Sequence, residues 1–371
     1  MKRIVFCLCT LCIVAAGCEQ TIRDNVVKNK AQESFVMFWH DIDEHYVFFD
    51  DKHSDWDAFY TRGMDILENV TEENVRDVAD SIVRDIADIQ IYLWAYRQGF
   101  RYYGEDSLLS KYADACAGWR WNYPRWENNT DPYVFDGGDN YFTGGCIYTF
   151  HRNGDSINPP YLYIMPGLIG SGSRVEYNKE FWREKIPLYA ANSKGVVLDL
   201  RGLEEMEWND MLELLKYFLP QGANTIFYTC EREPASNDRT TYTAKEPYVV
   251  EGYGIFADMP LCIIFDVSTQ NEANIMAYVL YSMHPKVTTI SMGFTLGGGG
   301  MRSTHTYITK DESFGFHAKY PNVRLSNDKY DSFNAPLYPD ISVPYEGFVY
   351  NRKGMIDRCL EKSMDVLDNN R

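Results

Sequence analysis

The chain is short of positive charge, of paired cysteines and of long apolar runs. Lysine and arginine number 36 against 53 aspartates and glutamates, giving a formal net charge of −17. Such an imbalance repels a phosphate backbone and an anionic lipid surface, so no nucleic acid is expected as a partner. Of the nine cysteines, those beyond Cys18 are Cys116, Cys146, Cys230, Cys262 and Cys359. They are odd in number and far apart, and no C-x-x-C pair occurs among them, so zinc is not expected and no disulfide pairing can be chosen. Cys262 falls inside an apolar run and reads as a core residue. Repeats and low-complexity tracts are missing, and beyond the leader no segment reads as membrane-spanning. The carboxylates and histidines from Asp41 to Asp57 interleave with Trp and Phe, which fits a helix–loop–helix surface rather than a metal cluster. No cofactor is expected.

What is present begins with a leader. Lys2 and Arg3 precede an apolar run, Ile4 to Ala16, and then Ala15-Ala16-Gly17-Cys18. A basic start, a short apolar stretch and small residues before a cysteine read as a bacterial lipoprotein signal. Cleavage would leave Cys18 as a lipidated N-terminus, anchoring the protein to the cell envelope, with the outer membrane as the expected site.

Residues 30 to 88 carry helical periodicity: Phe35, Phe38 and Trp39, then Met64 and Leu67, then Val75, Val78, Ile82 and Ile86. Thr71 is a plausible helix start. Residues 89 to 165, rich in Tyr, Trp, Gly and Asn, read as strands and loops. From 194 to 345 strands and helices alternate: strands at Gly195–Leu200, Thr225–Cys230 and Thr304–Thr309, with a helix at Met211–Phe218. That alternation argues for an α/β layer structure.

The most telling stretch is Pro260 to Gly300. An apolar strand, Leu261–Phe265, enters a polar turn. A helix from Glu272 to Met283 follows, then a strand from Val287 to Met292, then four glycines. Many hydrolases place a nucleophile where a strand turns into a helix, because the helix N-terminus favours developing negative charge. A Ser or Cys is expected there, and this chain has Asn271, which also suits a helix N-cap.

Five phrases in order resemble the C-terminal-processing, or tail-specific, serine peptidases in their Bacteroidetes-type lipoprotein form. FWHDIDEHYVFFDDKHSDWDAFYTR, from Phe38 to Arg62, resembles the opening of the helical module. KGVVLDLRG (Lys194–Gly202) resembles the strand ending L-D-L-R-x-N-x-G-G. VSTQNEAN (Val267–Asn274) resembles the nucleophile turn T-x-S-A-x-[EN]. FTLGGGG (Phe294–Gly300) resembles the glycine-rich loop, and LYPDISV (Leu337–Val343) resembles G-I-x-P-D-I-x-V. The resemblance implies an α/β fold of the ClpP/crotonase-like layered kind with an N-terminal helical module and a β-rich insert. The expected divisions are a leader at 1–17, a helical module at 18–88, a β-rich connecting region at 89–165, a peptidase-like core at 166–350 and a helical tail at 351–371.

The departures from that family bear on chemistry. Asn271 stands at the nucleophile and lacks the required nucleophilic oxygen. Leu296 stands near the position of the paired lysine base, and no lysine occurs between Lys286 and Lys310. Gln90 takes the place of an upstream histidine. The bulky, acidic Gly202-Leu203-Glu204-Glu205 replaces glycines that would shape an oxyanion site. A degenerate active site is therefore expected, with Gly202, Asn271 and Gly297, Gly298, Gly299 and Gly300 lining a former cleft that takes a peptide or a protein C-terminus. Two other readings stay open. Ser303 and His305, on one face of an expected strand with Lys310 nearby, would form a relocated dyad, or the fold serves only as a lipid-anchored scaffold. Ser268 and Ser282 read as structural, and His151, His284 and His317 carry no signal.

Overall fold

The computed structural model describes residues 29–52, 55–88, 90–95, 98–101, 133–140, 146–152, 160–166, 175–203, 206–233, 238–295, 297–307, 316–344, 348–351 and 354–369. The chain forms two compact units. The first holds Met1–Tyr102, Pro234–Thr241 and Arg302–Pro321, and the second holds Tyr103–Glu233, Tyr242–Met301 and Asn322–Arg371.

In the first unit, the helical periodicity becomes α1 (Lys30–His45), α2 (Phe49–Lys52), α3 (Trp56–Ile66) and α4 (Glu72–Ile86). Three of them start on side-chain caps. Asn29, Asp55 and Thr71 accept from the backbone N–H groups of Gln32, Ala58 and Asn74, satisfying donors that a helix start leaves open. The buried stripe of α1, Phe35, Phe38 and Trp39, packs with Trp56 and Phe59 of α3; the Trp39 and Trp56 rings stack at 5.9 Å. Strands β1 (Tyr92–Ala95) and β2 (Gln98–Arg101) pair antiparallel, and β1 also pairs with Phe316–Lys319.

Several carboxylates between Asp41 and Asp57 are engaged in polar contacts of this unit. Asp41 accepts from the Tyr320 hydroxyl, and Asp43 and Asp57 both pair with Arg239. No group of three or more metal-ligating side chains occurs among the described residues.

The second unit is built on a seven-stranded sheet. Its strands are β3 (Tyr133–Asn140), β4 (Cys146–Arg152), β5 (Tyr161–Met165), β6 (Val196–Asp199), β9 (Leu261–Phe265), β10 (Val287–Ser291) and β13 (Ile341–Ser342). Their spatial order is β13-β10-β9-β6-β5-β4-β3. From β5 to β13 neighbours run parallel; β3, β4 and β5 pair antiparallel. Strands β6 and β9 pair directly, with Val196 opposite Leu261. All five residues of β9 are buried, because both sheet faces are covered. On one face Leu198 and Ile263 meet α5 (Val175–Ala190), α6 (Trp208–Phe218) and α7 (Asn271–Met283). On the other, Val197, Cys262 and Ile264 meet Cys359, Leu360, Met364 and Leu367 of α8 (Arg358–Asn369). The same unit contains the antiparallel β7 (Gly222–Cys230) and β8 (Glu246–Gly252), and the hairpin of β14 (Phe348–Asn351) and β15 (Gly354–Asp357). Strands β11 (Gly300–Tyr307) and β12 (Phe316–Ser326) contribute residues to both units.

Two of the sequence-based divisions are redrawn. The β-rich stretch 89–165 is not a connecting region of its own, since β1 and β2 belong to the first unit and β3–β5 extend the main sheet of the second. A strand requires ladder partners, and β5 finds one in β6. Residues 351–371 are likewise more than a tail: α8 is one covering layer of the sheet.

Candidate functional site

Two turns meet at the carboxyl ends of the parallel strands. The first follows β6, from Leu200 to Leu203; the second joins β9 to α7, from Asp266 to Gln270. They are stitched by three hydrogen bonds. Thr269 donates its hydroxyl to the Leu200 carbonyl at 2.8 Å, Gln270 N–H donates to the Leu203 carbonyl at 3.0 Å, and Gly202 N–H donates to Asp266 Oδ1 at 3.2 Å. Gly202 sits at φ +72, a conformation that favours glycine.

Asn271 begins α7 at φ +53. Besides Ala87 it is the only non-glycine residue with positive φ among the described residues. It is not the cap: Gln270 holds that position, without a side-chain cap bond. The reason lies in the glycine loop. Asn271 N–H donates to the Gly297 carbonyl at 3.3 Å, and Gln270 and Gly297 form a parallel bridge. The left-handed backbone thus turns the residue into the protein, and asparagine is among the few side chains that tolerate that conformation. Asn271 is 0% exposed.

The glycines are there for close approach as well as for conformation. Gly298, at φ +94, would place a Cβ 3.0 Å from Asn271 Oδ1. A Cβ on Gly299 would lie 2.0 Å from the Phe333 carbonyl carbon. Behind the loop, Asn274 donates to the Phe333 carbonyl at 3.0 Å and accepts the Thr295 hydroxyl at 2.6 Å; Thr295 Oγ1 in turn accepts Leu337 N–H at 2.8 Å. The loop is therefore pinned from both sides and is not a free turn.

Beneath the first turn lies a charged cluster. Arg201 pairs with Asp199 and with Asp357, each at 2.6 Å, and all three side chains are at most 1% exposed. The Tyr163 hydroxyl donates to Asp199 at 2.8 Å, while Asp357 also caps α8 by accepting the N–H groups of Cys359 and Leu360. Burial pushes the Asp199 carboxyl up even though Arg201 pulls it down. Burial opposes charge on Arg201 too, but the two carboxylates overcome it and hold the guanidinium protonated. The L-D-L-R phrase is thus a buried lock on the C-terminal helix.

Cys262 and Cys359 are buried and form no disulfide. Burial pushes Cys262 up to about 12 and raises Cys359 as well.

The structure brings together Gly202, Asn271, Gly297, Gly298, Gly299 and Gly300, all within the second unit, and all of them are buried. The sequence reading made them the lining of a cleft; in this structure they lie inside. Gln90 is in the first unit, buried, with its N–H donating to Asp88, which also accepts the Tyr46 hydroxyl at 2.6 Å. Leu296, Glu204, Glu205, Lys310 and Cys18 lie outside the described residues. Ser303 and His305 lie on β11, with side chains outside the description. Ser282 donates to the Tyr278 carbonyl, and Ser268 N–H donates to Asp266. Asp357 and Glu272 were missed by sequence reasoning. Asp357 had no local signal, whereas Glu272 carried one, because it stands where the T-x-S-A-x-[EN] phrase has alanine.

This arrangement is a layered α/β fold. A candidate peptidase from Parabacteroides merdae superposes with a TM-score of 0.66 at 16% identity, covering 92% of this chain and 97% of that one. A lipoprotein from Streptococcus agalactiae gives 0.52 at 13%, covering 93% and 98%. A point mutant of CPAF gives 0.58 at 8%, covering 91% and 95%. The likeness shows that this chain has the same fold, over nearly the full length of each chain. No protein-family model matches the sequence, and neither does any curated protein.

Proposed function

We propose that this protein is a tail-specific-peptidase-like envelope lipoprotein that binds a peptide or protein partner and does not hydrolyse it. The observation that carries the reading is Asn271. It stands where the nucleophile is expected, carries a carboxamide, and is fully buried against the Gly297–Gly300 loop. An amide side chain cannot take the role of a serine alkoxide, and loss of one triad member removes several orders of magnitude in rate. The absence of a lysine between Lys286 and Lys310 supports the same conclusion. The fold itself is kept over nearly the whole chain, which fits a retained binding role. The leader ending at Cys18 and the likeness to a lipoprotein support a lipid anchor in the envelope.

The test uses purified protein, a fluorophosphonate label, and casein and C-terminal-tail substrates. Neither wild type nor Asn271→Ser should be labelled or turn over, because a restored hydroxyl still has no base to take its proton. In cell fractionation, Cys18→Ala should move from the membrane to the soluble fraction. Reproducible cleavage by wild type, abolished by Ser303→Ala, would overturn the reading in favour of the relocated dyad.

A further inference from the structure

The hairpin of β7 and β8 ends in an open strand edge. Among the described residues β8 pairs only with β7, setting Pro247 opposite Tyr228, Val249 opposite Thr225 and Glu251 opposite Ala223. Proline has no N–H, so in a paired strand it sits where that group would face away from the partner. Alternation then turns the N–H and C=O groups of Val249 and Glu251 outward as well, while those of Tyr248 and Val250 face β7. The side chains alternate in step. Val250 is 6% exposed and packs in the core, whereas Val249 is 54% exposed. Glu246, Pro247 and Glu251 are exposed too, and Lys245, just before the strand, has Asp331 at 3.9 Å. A single exposed valine needs no explanation. Here it stands beside open ladder positions and between two carboxylates.

We propose that the β8 edge is a docking strand for an extended, basic segment of a partner protein, which adds to the hairpin as a further strand. This rests on the partner-binding reading and gives it a surface, since the residues first expected to line a cleft are all buried. Backbone hydrogen bonds at Val249 and Glu251 supply affinity, and the exposed valine and carboxylates select the side chains that lie beside them. A second copy of this chain is a poor match. Self-pairing would set acid beside acid in a chain of net charge −17, and a proline and charges on an edge guard against it. A strand carrying lysine or arginine meets opposite charge instead.

The test uses the full chain and the labelled peptide acetyl-Lys-Val-Lys-Val-Lys-Val-amide. Its controls are the same peptide with glutamate for lysine, and a fully N-methylated form that cannot donate to a ladder. Fluorescence anisotropy should show saturable binding of the basic peptide, at least about tenfold weaker for either control and weakened by salt. Amide hydrogen exchange at Val249 and Glu251 should slow on binding. Val249→Pro removes an outward N–H and no bond to β7, and should weaken binding at least about fivefold. Glu251→Lys keeps the backbone intact, so it carries the test if the proline variant does not fold; it should weaken binding of the basic peptide and strengthen that of the glutamate peptide. No saturable binding, equal binding of the three peptides, or unchanged affinity in both folded variants overturns the proposal. So does a dimer in sedimentation that the same variants break, which assigns the edge to a second copy. Protection of another segment instead of β8 overturns the edge but keeps the partner-binding reading, whereas casein cleavage by wild type would refute the non-hydrolytic reading and leave the edge standing.

Discussion

Two arginines in this protein each hold two aspartates, and they differ in almost everything else. Arg201, with Asp199 and Asp357, is sealed in the second unit, with side chains at most 1% exposed. Arg239, with Asp43 and Asp57, lies at the surface of the first, where Arg239 is 26% exposed and Asp57 is 69% exposed. Arg239 also lies over the Trp39 and Phe49 rings, so part of its contact is with aromatic faces. The comparison teaches that the same charge pattern can be either a lock or an ornament. In the interior, neither partner can return to water when the other is removed. At the surface water replaces a lost partner, and the net value of the pair is small.

The sharpest way to break the comparison is Arg201→Ala. It leaves two buried aspartates facing each other without a counter-charge, and it frees the carboxylate that caps α8. Equilibrium denaturation should show a loss of about 3–5 kcal/mol or no folded protein at all, and added salt should barely change the difference. A loss under about 1 kcal/mol would mean that the cluster does not lock the C-terminal helix.

A buried polar group without an ionic partner lies between these extremes. His284 Nε2 is 2.9 Å from the Phe256 carbonyl, and its Nδ1 is 3.3 Å from Lys286 N–H. Both contacts are satisfied at once by the neutral ring that carries its proton on Nε2. Burial pushes the imidazole below its usual value, against the pull of the Phe256 carbonyl. A base whose folded value is depressed contributes stability that is present above its ordinary value of about 6.5 and is lost as pH falls toward the folded one. Wild-type melting temperature should therefore drop on acidification from neutral pH. His284→Gln, less stable at neutral pH, should lose this part of the pH dependence; an unchanged slope in the variant would place the sensitivity elsewhere.

The smallest effect is expected from Arg239→Ala. Its loss should be about 0–1 kcal/mol in low salt and should shrink in about 1 M salt, where exposed charges are screened. A large, salt-independent loss would show that its aromatic contacts, not its ion pairs, hold the Asp238–Thr241 segment in the first unit.

Much of the frame was legible in the sequence, because periodicity and capping act over short distances. The Thr71 cap, the stripe through Val75, Val78, Ile82 and Ile86, and the alternation from Gly195 to Met292 each reflect how a local segment buries one face. The same locality put Asn271 at the start of α7, but as its cap, whereas Gln270 caps the helix and Asn271 is its first residue. It could not say whether that position opens to solvent, since burial depends on what the far chain does.

The residues themselves determined that a carboxamide occupies the nucleophile position, that two acids follow Leu203, and that no lysine lies in the segment after Lys286. Only the tertiary structure decided what these facts mean. Arg201 and Asp357 are 156 residues apart and meet because β15 leads α8 under the strand end. Gly299 must be glycine because the Phe333 backbone lies against it, and Glu272 reaches Met206 across 66 residues because two strand-end turns converge. Local chemistry is written in neighbours along the chain, but burial, charge pairing and access are set by segments that become neighbours only on folding.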